Sequence, residues 1–466
     1  MNESSAARMP PPGEAERLFD EGRRAHLAGR LEDAMAGYRA ALRLDPTHGG
    51  ALNNLGVALK TLNRFAPAIA CYRRGLALKP DDAGLLTNLG NALRGLGRFA
   101  EAEAVLKRAL SLNPGSVDAL NNLSLSRKAE RRFKEAIEGL TEVLRHRPDD
   151  PETHLDLALT LLQVGEFERG FVEYEWRFRS KELPPRGLAE PLWDGAPLEG
   201  RTILLYTEQG YGDCIQFVRY APLVAARGGR VVIECQPPLV RLFQRVEGVA
   251  EVVARGEALP RFDLQAPILS LPRIFGTTME TIPAPARYVS PPPKLAYDFR
   301  KRVRAPDGML KVGLVWAGKP TQKNNHNRSA GFPIFIDLLG TPGTAWFSLQ
   351  VGDRAGDVET HHCGGLIDDL TPEIEDFADS AAAIDALDLL VTVDTGPAHL
   401  AGALGKPIWL ALAYAGDWHY PEGDGSDSPW YPSMRVFRQD SFGDWKGVVA
   451  RIQRALEARE GLRPVG

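Results

Sequence analysis

Two patterns of apolar and polar positions divide the chain near residue 185. Before that point the pattern recurs every 34 residues. Pro46, Pro80, Pro114 and Pro148 share one phase, and the turn sites Gly29, Asn63, Gly97, Arg131 and Gly165 share another. Repeats therefore begin near residues 15, 49, 83, 117 and 151. Gly22, Gly56 and Gly90 occupy one position of the frame, and Ala34, Ala68, Ala102 and Ala136 another. Small side chains at these places predict pairs of touching helices that stack on their neighbours. In the fifth unit Gly170 and Arg177 replace the expected alanines, and the second helix runs on through Phe171-Val172-Glu173-Tyr174-Glu175-Trp176-Arg177-Phe178. This aromatic face predicts docking onto the domain that follows.

After a Pro- and Gly-rich connector, Ser180 to Gly200, strand–loop–helix units take over. Thr202–Tyr206 and Arg230–Cys235 are short apolar runs of the kind that form buried parallel strands. A second set follows Pro291-Pro292-Pro293, with strands expected at Lys311–Trp316, Leu389–Asp394 and Ile408–Leu412. The resulting division is a leader over 1–14, five repeats over 15–184, a linker over 185–200 and a first α/β domain over 201–290. A second linker over 291–310, a second α/β domain over 311–445 and a C-terminal helix and tail over 446–466 complete it. The fold class is α + α/β, an α-solenoid followed by two tandem Rossmann-like domains, with ligands expected at the carboxyl ends of the strands.

Composition narrows the function classes. A net charge of −4 gives no electrostatic reason to expect a nucleic-acid partner. No apolar run approaches the roughly 18 residues of a membrane span, and Met1 to Gly13 lacks the apolar core of a signal peptide. The four cysteines are scattered without CxxC spacing, so a reduced, cytoplasmic protein is expected. His361-His362-Cys363 is a poor metal site because adjacent residues converge badly on one ion, and no metal or other cofactor is expected. Gly210-x-Gly212 with Glu234 is a fragment of a dinucleotide fingerprint, but Ile215 stands where the third glycine belongs.

The first half resembles the tetratricopeptide repeat, whose 34-residue helix pairs wind into a superhelix. In the second half, Asp394-Thr395-Gly396-Pro397-Ala398-His399-Leu400-Ala401-Gly402-Ala403-Leu404-Gly405-Lys406-Pro407 resembles the donor-phosphate motif of heptosyltransferase-like glycosyltransferases. Gly210-Tyr211-Gly212-Asp213 is similar to their amino-terminal Gly-Asp loop. Val315-Trp316-Ala317-Gly318, Asn327-Arg328-Ser329 and Asp427-Ser428-Pro429-Trp430-Tyr431-Pro432 resemble bacterial proteins that join such repeats to such a domain. In architecture the chain is similar to flagellin glycosyltransferases that move nonulosonic acids to Ser or Thr. The resemblance implies an inverting, metal-independent enzyme of the two-domain GT-B fold. Its substrates would be a nucleotide-sugar, CMP-linked or other, and a protein acceptor such as flagellin. The competing reading is a repeat scaffold whose glycosyltransferase-like domain has lost activity.

Roles follow residue by residue. Asp394, Thr395 and Gly396 end a strand and open a helix, where free N–H groups and the helix dipole favour phosphate, and the Thr395 hydroxyl would add a donor. Arg328 and Lys319, with Lys323, Asn324 and His326 near them, would put positive charge on the departing phosphate. Gly212 and His399 are further donor-side candidates. Asp213 would take the acceptor proton, with Glu208 as its alternate; the competing role of Asp213 is a helix cap. Trp418, His419, Trp430 and Tyr431 lie in a polar loop and would stack on the donor base or cover the sugar. Asn54, Asn88 and Asn122, flanked in the frame by Asp20 and Asp156, would form a ladder reading an extended acceptor peptide, or else simply solvate the first-helix stripe.

Overall fold

The computed structural model describes residues 13–180, 183, 186–319, 325–421 and 428–460. The 34-residue period resolves into helix pairs. These are α1 (Glu14–Leu27) with α2 (Leu31–Leu44), α3 (Gly49–Thr61) with α4 (Phe65–Leu78), and α5 (Ala83–Gly95) with α6 (Phe99–Leu112). They continue with α7 (Val117–Ala129) and α8 (Phe133–His146), then α9 (Pro151–Gln163) and the shorter α10 (Phe167–Tyr174). The same steric problem is solved in each repeat. A Cβ on Gly56 would stand 2.5 Å from the Tyr72 ring and one on Gly22 2.9 Å from the Tyr38 ring. Ala34, Ala68, Ala102 and Ala136 are fully buried. The turns within pairs pass through a left-handed residue, held by glycine at Gly29, Gly97 and Gly165 but by Asn63 (φ 56°) and Arg131 (φ 64°) in the others. Asp82 and Ser116 cap α5 and α7 by accepting from the N–H groups of Leu85 and Ala119.

The chain divides into two compact units, Met1–Thr160 and Leu161–Gly466. The last repeat helix, α10, lies in the second unit. Its Phe167 stacks on Trp430 at 5.5 Å, while Phe171 and Tyr174 pack against Trp418 at 6.0 and 5.9 Å. Arg177, just beyond it, is buried and donates to Glu208 at 2.9 Å and to Ser270 at 2.7 Å. A fragment cut at residue 185 would uncover these rings and strand the Glu208 carboxylate without its cation. We expect fragment 161–466 to melt at least about 5 °C above fragment 185–466, because losing one partner of a buried ion pair is strongly destabilising. Differential scanning calorimetry of the two fragments checks this.

The second unit contains two sheets, both parallel. The first joins β1 (Thr202–Tyr206), β2 (Arg230–Cys235), β3 (Val249–Ala254) and β4 (Leu264–Pro267) in the order β3-β2-β1-β4. The helix α11 (Tyr211–Phe217) follows β1. The second sheet contains β5 (Leu310–Val315), β6 (Thr344–Ser348), β7 (Ile367–Asp369), β8 (Leu389–Val393), β9 (Ile408–Leu412) and β10 (Met434–Arg438). Its order, β10-β9-β8-β5-β6-β7, is the doubly wound one. The helices α12 (Phe377–Asp385) and α13 (Gly396–Ala403) flank β8 in sequence. Residues Val312, Leu314, Trp316, Val391, Trp409, Phe437, Trp445 and Ile452 belong to the core of this sheet. Every residue of β8 and β9 is buried, which explains why they appear as unbroken apolar runs rather than alternating ones. Among the described residues no helix is long and apolar enough to cross a membrane.

Candidate active site

In a doubly wound sheet the strand order reverses at one point, and ligands bind in the crevice beyond the carboxyl ends there. In the second sheet that point lies between β5 and β8. The loop after β5 is held rigidly: the Trp316 and Ala317 N–H groups both donate to Gln350 Oε1, at 3.0 and 2.8 Å, and Gly318 N–H donates to Ser329 Oγ at 3.0 Å. Its neighbour is the loop after β8, since a Cβ on Gly318 would lie 3.8 Å from the Thr395 methyl. Arg328 bridges to this second loop, 2.9 Å from Asp394 Oδ1 and donating to the Asp394 carbonyl at 2.8 Å. Burial pushes the Asp394 carboxyl up, and Arg328 partly offsets that. The other carboxylate oxygen, Oδ2, is buried and has no hydrogen-bond partner among the described residues.

The other wall comes from the first sheet. Gly210-Tyr211-Gly212-Asp213 opens α11, and Asp213 Oδ2 accepts from Gly210 N–H at 3.1 Å. Gly212 lies so close to α13 that a Cβ there would meet His399 Cδ2 at 2.7 Å. The two loops singled out by sequence therefore meet. Between them sits His419, in the segment after β9. Its Nδ1 is 2.7 Å from Asp417 Oδ1 and its Nε2 3.0 Å from Asp213 Oδ1. The second contact is an ion pair off the ideal hydrogen-bond line. Burial opposes a charge on this imidazole, but Asp417 and then Asp213 outweigh it and push His419 up to about 10. His399 goes the other way: burial, reinforced by the charge of His419, holds it well below the ordinary histidine value.

The remaining candidates divide. Thr395 is buried, and its hydroxyl donates to its own neighbour, the Val393 carbonyl, at 3.1 Å. His399 Nδ1 lies 3.0 Å from the Tyr431 hydroxyl. Glu208 is paired with Arg177, and burial nevertheless raises its carboxyl to about 7. Lys319 is exposed on the β5 loop. Lys323, Asn324, the His326 side chain and Asp427 lie outside the described residues, as does most of the leader.

Trp418, Trp430 and Tyr431 depart from the expectation of ligand-facing rings, being all but fully buried. Trp418 stacks on Phe217 and His419, at 6.0 and 3.9 Å, and Trp430 lies against Phe167 and Phe217. Arg219 spreads its guanidinium over Trp430, Tyr431 and Tyr288. These rings support the site from beneath. Tyr211 and Phe377, 5.0 Å apart, are the more exposed aromatic pair near Gly396.

In the first unit, Asn88 donates to Asn53 at 3.0 Å, Asn53 to Asn54 at 3.2 Å, and Asn122 to the Asp118 carbonyl at 2.9 Å. The amides are partly exposed, and of these three bonds the one from Asn88 to Asn53 joins neighbouring repeats. Glu234, the acidic residue of the dinucleotide fragment, is buried and paired with Arg186. Among the described residues no group of three His, Cys, Asp or Glu could hold a metal ion.

Asp417, Tyr420 and Gln350 were not singled out by sequence. Asp417 and Tyr420 flank His419 in a polar segment whose two aromatics look like surface rings, and Gln350 follows a strand of ordinary composition.

Comparison with known proteins agrees with this division. Residues 19–83, 53–117 and 87–138 match the tetratricopeptide repeat family, and residues 360–412 match glycosyltransferase family 9 (heptosyltransferase). The latter segment contains the Asp394 loop. Protein FlbA of Caulobacter vibrioides (strain ATCC 19089 / CIP 103742 / CB 15) is 28% identical over 352 residues, 68% of this chain and 57% of that relative. The chain thus spans little more than half of that relative's length. A crystal structure of MamA protein superposes at a TM-score of 0.31 with 20% identity, covering 36% of this chain and 91% of the other. The tetratricopeptide repeat protein TTC0263 of Thermus thermophilus does so at 0.33 with 22% identity and coverage of 36% and 91%. The chain is thus similar to tetratricopeptide repeat proteins over residues 19–138 and to glycosyltransferase family 9 (heptosyltransferase) over residues 360–412.

Proposed function

We propose that the protein is an inverting, metal-independent glycosyltransferase of GT-B architecture. It moves a sugar from a nucleotide-sugar to Ser or Thr of a protein held by the repeats, in the cytoplasm, with flagellin as the acceptor class to test first. The observation that carries this reading is the meeting of two chemically different walls. A carboxylate, Asp213, stands on one side, and an arginine beside a strand-to-helix turn, Arg328 with Asp394 to Gly396, stands on the other. In the step, the acceptor oxygen forms a bond to the anomeric carbon as its proton passes to Asp213. The bond from that carbon to the donor phosphate breaks, and its electron pair leaves with the phosphate, toward Arg328 and the Gly396 N–H. The asparagines of the repeats would engage the acceptor backbone, since an amide both donates and accepts.

Thermal melting against a panel of CMP-, ADP-, UDP- and GDP-nucleotides tests the donor half. A ligand bound only by the folded protein at a hundred times its Kd adds about 2.7 kcal/mol of stability, so the matching nucleotide should raise the midpoint and the others should not. No shift with any nucleotide, together with no sugar-nucleotide turnover by the purified protein, would favour the scaffold reading.

A further inference from the structure

One ring in the second unit is held at both ends by carboxylates from different elements. His419 Nδ1 faces Asp417 within its own segment at 2.7 Å, and Nε2 faces Asp213 on α11 at 3.0 Å. A neutral imidazole carries a single N–H, whereas the protonated ring offers a donor at each nitrogen. Two carboxylates at these distances therefore select the imidazolium. The other groups around it are rings: Trp418 stacked at 3.9 Å, Phe217 of α11 at 6.5 Å, Tyr420 at 6.4 Å and His399 of α13 at 5.1 Å. Of these, His399 and Tyr420 are titratable; burial holds the imidazole well below and the phenol well above its ordinary value, so both stay uncharged. The charged Arg328–Asp394 pair also acts on Asp417 and His419.

We propose that His419, held as a cation by Asp417, is a positioning residue that aims the Asp213 carboxylate at the acceptor hydroxyl. The inference rests on the reading of Asp213 as the base. Asp213 stands on a short helix with 22% of its side chain exposed, and within that element the Gly210 N–H at the helix start holds one of its two oxygens. The contact from outside the element is His419, which faces Oδ1 as an ion pair while Gly210 N–H donates to Oδ2. Each oxygen keeps a further lone pair free to receive a proton. Asp417 supplies the second anion, so that the trio carries one net negative charge before transfer and none after the proton arrives. The rings beneath it, Phe171 and Tyr174 against Trp418, tie the His419 segment to the last repeat helix. Gln163 strengthens that tie by donating to the Gly416 carbonyl at 2.8 Å.

Two substitutions separate a charge role from a packing role. His419→Arg keeps a cation able to face both carboxylates but sacrifices the stack on Trp418, and His419→Phe keeps the stack and sacrifices the cation. The positioning role requires the arginine variant to retain kcat within about tenfold. The phenylalanine variant should lose about 10²-fold in kcat, the scale set by misplacing a reacting group by an ångström. Its donor KM should change little. The reverse ranking, or a normal kcat for His419→Phe, overturns the proposal. Should the phenylalanine variant fail to fold, Asp417→Asn leaves the ring and Asp213 in place while removing the anchor. A fall of about tenfold in kcat supports the clamp, and an unchanged kcat overturns it. Asp213→Asn keeps the two ideas apart. Normal transfer by that variant removes the base itself, whereas a dead Asp213→Asn beside a normal His419→Phe removes only the clamp.

Discussion

Replacing Asp213 by Asn is expected to cost about 10²–10⁴ in transfer rate, the usual contribution of a positioned general base, while leaving donor affinity nearly intact. The amide keeps the shape of the side chain and has almost no basicity. The competing role is a cap, and it is tangible: Asp213 accepts from Gly210 N–H at the start of α11. An asparagine oxygen can accept that bond equally well, so a pure cap predicts near-normal rate and stability. The ion pair to His419 adds a complication that can be controlled. Its loss should lower the melting midpoint somewhat, so rates are compared well below the transition of both proteins. Single-turnover transfer and nucleotide binding measured on the same preparations give the answer. Near-normal transfer would move the search to Glu208→Gln, although Glu208 is buried against Arg177 and would have to be uncovered before it met an acceptor.

How much of this was legible in the sequence depends on whether a residue's neighbours are local. The repeats were legible because each unit restates one steric requirement, as at Gly56 beneath Tyr72 and at the buried Ala68. Strands β1, β2, β8 and β9 were legible because near-continuous burial makes their side chains mostly apolar, with paired exceptions such as Glu234. The two glycine-containing loops could be placed at strand ends from local pattern alone. Their meeting could not, because the Gly212 to His399 contact joins separate sheets. The aromatics misled for the same reason. Trp418, Trp430 and Tyr431 sit among Gly and Asp, a composition that suggests solvent, yet rings from α10 and α11 cover the two tryptophans and α13 covers Tyr431. His419 drew notice only as part of that loop, since its two carboxylate partners become adjacent only in the folded chain. Thr395 shows a smaller failure. Its hydroxyl looked available for phosphate, but a buried hydroxyl at a strand end satisfies itself on the nearest carbonyl, here Val393.

Arg328→Ala should be the most disruptive single change on the donor side, and it should act twice. Removing one preorganised cation from a phosphate site typically costs about 10²–10³ in turnover, so donor use should fall by that amount while acceptor binding is spared. The same change leaves Asp394 buried without its counter-ion. Breaking a pair of this kind costs about 3 kcal/mol at the lower end of its range, with the Tyr420 hydroxyl, 3.3 Å from Asp394 Oδ1, as the remaining partner. The pH dependence follows from the direction of the Asp394 shift. Its carboxyl is raised in the folded protein, and loss of Arg328 raises it further, so the folded variant holds its proton at pH values where the unfolded chain has released it. The stability deficit relative to the parent should therefore be small near the ordinary carboxylate value, grow as pH rises, and level off above the raised one. Melting midpoints of both proteins between pH 5 and pH 8 test the sign. Arg328→Ala combined with Asp394→Asn should recover much of the stability lost by Arg328→Ala alone, and none of the donor use. A deficit that shrank with rising pH would show that Asp394 is not the group left stranded. Unchanged donor kinetics in a folded Arg328→Ala protein would shift the phosphate role to Lys319.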